Sequence, residues 1–141
     1  MDRKWTLRIL KATLRENSDV EEEFLSLVDE VEGYCTLEVA RVLMKTFSDR
    51  ADFGTQESVV SVLASTVDKD VTQAILEELP RLVCEAPEWA ETLIGAEVDQ
   101  RPELLFSVAK SMPTDVKDSL RHLLESKSFR DYYPIENEIN I

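Results

Sequence analysis

At 141 residues, with 43% hydrophobic side chains, three glycines and five prolines, the chain has the size and composition of one folded domain with its own core. Sixteen Lys and Arg face twenty-nine Asp and Glu, a formal net charge of −13, and such a field disfavours nucleic acid and anionic lipid while favouring encounter with cationic proteins. No stretch approaches the roughly 20 apolar residues of a membrane span, and MDRKWTLRILKATLREN interleaves charge with apolar residues, unlike a signal peptide, so the expectation is a cytoplasmic protein.

Helical spacing recurs along almost the whole chain, and strand alternation almost nowhere. The first helix is predicted over about residues 2–16, with Leu7, Leu10 and Leu14 at three-four spacing and Trp5 and Ile9 beside them. Ser18 and Glu21 read as a capping box opening the second, whose stripe is Val20, Phe24, Leu27, Val28 and Val31, with Gly33 as its stop. A third helix is predicted from Leu37 to Phe47, burying Val39, Ala40, Leu43 and Phe47. SDRADFGT reads as a loop, and the fourth helix follows over Gln56 to Val67, with Val59, Val60, Leu63 and Val67 inward.

The fifth helix begins at Asp70 and carries Val71, Ile75, Leu79 and Leu82; Pro80 within it predicts a kink or an early break. Pro87 suits the first turn of the sixth helix, and Glu88 complements the positive end of its dipole. There Trp89, Leu93 and Ile94 form the inward side, Glu91 lies outside, and Trp89 wedges between neighbouring helices. Pro102 opens a seventh helix reaching Met112, and Thr114 is expected to cap an eighth with Val116, Leu120, Leu123 and Leu124 inward. The tail, residues 129–141, reads as a last short helix or a strap. The expected fold is a single all-α domain of about eight short helices in stacked antiparallel hairpins, a HEAT-like α-solenoid, with an irregular globular bundle as the alternative.

Nothing in this pattern points to catalysis. Cys35 and Cys84 lie in apolar surroundings with no CxxC and read as buried thiols. His122 stands alone, so a triad or zinc site has little to build on, and a surface role is expected for it. Three scattered glycines supply neither a Walker loop nor a dinucleotide fingerprint. The run Glu21 to Glu23 diverges around a helix and does not converge on one ion. The expectation is no enzyme, no cofactor and no metal.

The placement of charge is more informative. Residues 16–40 hold nine acids and no Lys or Arg, whereas residues 1–15 hold five bases and one acid. At about 100° per residue, Glu22 and Asp29 lie opposite the apolar stripe of the second helix, flanked by Glu23 and Glu30. A merely solvated face usually mixes signs. Glu22, Glu23, Asp29 and Glu30 therefore read either as a solubility surface or as candidates for a face that docks a cationic protein, with Tyr132 and Tyr133 in the acidic tail as candidate anchors; the tyrosines serve equally well to pack the last helix down.

The ordered segments VARVLMKTFSD, ESVVSVLAST, ILEELPRLVCEAPEWAETLI and VKDSLRHLLES resemble the bacterial toxin-immunity proteins of the immunity protein 30 family, from about residue 20 to residue 125. The most specific piece is Leu79-Pro80 followed by Ala86, Glu88, Trp89, Ala90 and Leu93. Where the family pattern has a His in the Glu-Val helix and an Ile-Leu-Asn turn, this chain has Val62 to Ala64 and GAEVDQ. The resemblance implies an antidote that binds one cognate toxin domain of a contact-dependent growth inhibition or related polymorphic-toxin system and occludes it. It carries over no catalytic or contact residues. The alternative is a HEAT-like interaction scaffold without a toxin partner.

Overall fold

A computed structural model describes residues 3–13, 18–32, 35–49, 55–65, 68–134 and 141. These form α1 (Arg3–Thr13), α2 (Ser18–Asp29), α3 (Leu37–Met44), α4 (Thr55–Ser65), α5 (Lys69–Glu85), α6 (Pro87–Gln100), α7 (Pro102–Lys110), α8 (Thr114–Glu125) and α9 (Lys127–Tyr132), with no strand among the described residues. The fold is all-α.

α1 and α2 pack against each other. The indole N–H of Trp5 donates to the Leu27 carbonyl at 2.8 Å, and Arg8 reaches Glu23. Contacts that move forward on α1 and backward on α2 make the two antiparallel. The inward stripe of α1 is Trp5, Ile9 and Ala12, with Leu10 partly covered, whereas Leu7 is 60% exposed. The expected leucine stripe is thus rotated. Trp5 has the larger surface to bury and a donor that needs a partner, and both needs are met on α2. Leu14, Gly33, Val67 and the side chains of Ser18, Val20 and Glu21, with their capping box, lie outside the described residues.

Caps set most of the remaining boundaries. The Thr36 hydroxyl accepts from Val39 N–H at the start of α3, and the Asp68 carboxylate accepts from Asp70 N–H at the start of α5. α3 stops at Met44, before the expected Phe47, and Arg81 donates both to the Met44 carbonyl that the helix end leaves open and to the Phe47 carbonyl beyond it. Pro87 and Pro102 occupy the first turns of α6 and α7. Thr114 is the first residue of α8 and not its cap, since Pro113 holds that place without a side-chain bond. Ser126 caps α9, accepting from Phe129 N–H at 3.3 Å.

Pro80 does not end α5, which continues to Glu85. An interior proline costs about 3 kcal/mol, but Ile75, Leu76, Leu79 and Leu82 are all buried, each contributing roughly 1.5–3 kcal/mol. Packing outweighs the lost hydrogen bond. α5 is the centre of the molecule, touching α3, α6, α7 and α8, while α2 packs on α1 and α4 and α9 on α8 and α6. In a solenoid each repeat contacts only its neighbours; the helix pairings of the described residues do not by themselves establish stacked hairpins. The buried side chains, from Trp5 to Phe129, form one cluster.

Candidate partner-binding surface

Burial of Phe24, Leu27 and Val28 fixes the rotation of α2 and turns Glu22, Glu23, Asp29 and Glu30 to solvent, as their spacing predicts. They are not equivalent. Arg8 of the basic α1 lies 3.3 Å from Glu23, an exposed pair that neutralises part of the face from within the molecule. No ion pair among the described residues engages Glu22, Asp29 or Glu30. Elsewhere some of the acids have internal partners: Glu77 takes Arg41 at 2.9 Å, Glu78 and Glu85 take Arg81, Glu97 takes Arg101, and Asp118 takes Arg121. Other exposed acids, Glu57 and Glu88 among them, also stand outside the ion pairs of the described residues, so the acidic face of α2 is one of several.

The two tyrosines separate. Tyr132 is 78% exposed. Tyr133 turns inward, its ring 5.1 Å from that of Phe129 and lying over Gly95 of α6, so it holds α9 down. Glu91 accepts from the Ser128 hydroxyl at 2.8 Å and fastens the same junction. Because α9 packs on α8 and α6, and α2 on α1 and α4, the tyrosines and the acidic helix sit on different sets of neighbours.

Trp89 is half-buried, with its ring centroid 5.4 Å from that of Phe47 at a 45° tilt. It does wedge between α6 and the end of α3, but one side of it also lines an open groove of about 500 Å³ between α4 and α6, together with Glu57, Val60, Ser61, Glu88 and Thr92. Periodicity could not find this groove, because its residues belong to two helices and each looks like ordinary surface alone.

No group of three His, Cys, Asp or Glu poised for a metal exists among the described residues. His122 is exposed. Cys35 is buried, and desolvation, aided by the Asp68 carboxylate, pushes its thiol up to about 11, so it stays protonated near neutral pH. Cys84 is exposed, against the expectation of a second buried thiol: it falls between the inward Leu82 and Ala86 and faces away from both. The buried Glu97–Arg101 pair is fully used in joining helices, with Thr72 donating to Glu97 and Arg101 donating to the Leu63 carbonyl. No helix of the described residues is long and apolar enough to cross a membrane. No protein-family model matches the chain, and neither a curated protein nor a solved structure matches it.

Proposed function

We propose that this chain is an immunity protein, a cytoplasmic antidote that binds one cognate bacterial toxin domain with a basic working surface, such as a nuclease, and occludes it. The observation that carries the reading is the exposed face of Glu22 and Asp29 on α2 with Glu30 in the turn that follows, which has no internal cation among the described residues. Carboxylates held there meet the Lys and Arg with which a nuclease grips phosphate, in charge-assisted hydrogen bonds. The resemblance to the immunity protein 30 family supports the same reading. Of its signature residues, Leu79, Ala86, Ala90 and Leu93 are buried, Pro80 and Trp89 are half-buried, and Glu88 is exposed.

The test is protection. The genes beside this one are searched for a large secreted protein with a variable C-terminal domain; that domain is expressed with and without the chain, and growth is followed. Growth rescued by the chain supports the reading; unrelieved toxicity with both proteins soluble overturns it. Reversing Glu22, Asp29 and Glu30 to Lys is expected to slow association by about 10-fold or more and to flatten its salt dependence. Unchanged kinetics overturn α2 as the docking face.

A further inference from the structure

The groove between α4 and α6 has a lining of one chemical kind. Glu57 and Glu88 stand on its two sides, both exposed, and no ion pair among the described residues engages either. The Ser61 hydroxyl donates to the Glu57 carbonyl at 3.2 Å and the Thr92 hydroxyl to the Glu88 carbonyl at 3.0 Å. Each hydroxyl proton is thereby directed into its own helix, and the oxygen offers only acceptor capacity to the groove. Trp89 and Val60 supply the apolar part, and Phe47 behind Trp89 steadies the indole. Two carboxylates, two acceptor hydroxyls and an indole form a surface without a cationic donor.

Such a lining repels an anion. Glu57 and Glu88 lie in the first turns of α4 and α6, where the partial positive charge of about half a unit at each helix end is already outweighed by a full negative one. The complement of such a lining is a planar cation that has donors and no acceptor and that stacks on an aromatic ring, which describes a guanidinium group.

We propose that this groove receives an arginine side chain presented by the protein partner, with Trp89 as the stacking face and Glu57 and Glu88 as counter-charges. The proposal rests on the reading of a cationic partner, but it names a different part of the surface from α2, and the two can fail separately.

The probe is the blocked tripeptide acetyl-Gly-Arg-Gly-amide, titrated into the full chain while the indole N–H resonances of both tryptophans are followed by NMR. Trp5, buried and bonded to Leu27, is the internal reference. The expected result is a saturable, millimolar shift of the Trp89 signal, absent with acetyl-Gly-Gln-Gly-amide. Combining Glu57→Gln with Glu88→Gln, both exposed and therefore safe for folding, is expected to weaken it roughly three- to tenfold. No shift of Trp89, an equal shift with the Gln peptide, or unchanged affinity in the double variant each overturns the proposal. The α2 charge reversal is expected to leave this titration intact, so a failure of the α2 face is distinguishable from a failure of the groove.

Discussion

Glu97 and Arg101, one turn apart at the end of α6, form an ion pair of 2.6 Å from which solvent is almost excluded, with side chains 1% and 7% exposed. Arg101 also reaches the Leu63 carbonyl of α4, and Thr72 of α5 donates to Glu97, so a single pair ties three helices. Removing one member leaves a buried charge alone. Arg101→Met is expected to cost about 3–5 kcal/mol in urea unfolding. Adding Glu97→Leu should recover most of that loss, because a buried pair replaced by apolar groups is close to neutral. Equal destabilisation in the single and double variants would show that the loss comes from the Leu63 and Thr72 contacts and not from the stranded charge.

The same pair gives stability a pH dependence. Burial raises Glu97 above its ordinary value of 4.5, and the opposing attraction of Arg101 and the bond from Thr72 do not cancel it. A carboxyl raised in the folded state holds its proton after the unfolded chain has released its own. Its contribution to stability is thus complete below 4.5 and is lost as pH rises through the folded value. The stability of the natural chain minus that of Glu97→Gln is expected to fall across that window. The readout is this slope, since any constant offset reflects only the unpaired Arg101; a difference that rises with pH contradicts the account.

Legibility in the sequence followed locality. Pro87 and Pro102 marked helix starts because proline's missing N–H matters least there, and the solvent face of α2 followed from where Phe24, Leu27 and Val28 must go. The rotation of α1 was not legible, since Trp5–Ile9–Ala12 and Leu7–Leu10 are both helical stripes and only contact with Leu27 chooses between them. The Glu97–Arg101 pair carried one faint signal, an acid four residues before a base just ahead of Pro102, but nothing local reveals burial. The groove carried none, because Glu57 and Ser61 meet Glu88, Trp89 and Thr92 only through the packed fold.

Pro80 lies half-buried within α5, where it denies the Leu76 carbonyl its usual donor. Since α5 already continues past Pro80 to Glu85, Pro80→Ala has no helix to extend and only a hydrogen bond to add. It is expected to stabilise the chain by about 1–3 kcal/mol, at most the difference in interior helix propensity between the two residues. Thermal unfolding followed by circular dichroism checks this. A lower midpoint would mean that the proline ring fills space that the alanine methyl leaves empty.

Gly95 lies buried in the interior of α6, where alanine is ordinarily better by about 1 kcal/mol. Here the ring of Tyr133 lies over it, and a Cβ built at position 95 falls within that ring. Gly95→Ala must therefore displace Tyr133, which also packs against Phe129 and is half-buried. The expected outcome is a loss of about 1–3 kcal/mol from overpacking, greater than the propensity gain. Tyr133→Ala clears the space, so in that background Gly95→Ala should change sign and stabilise by about 0.5–1 kcal/mol. The sign reversal isolates the ring as the cause. If Gly95→Ala destabilises equally in both backgrounds, the glycine is required by something other than Tyr133, and the attachment of α9 to α6 does not depend on this contact.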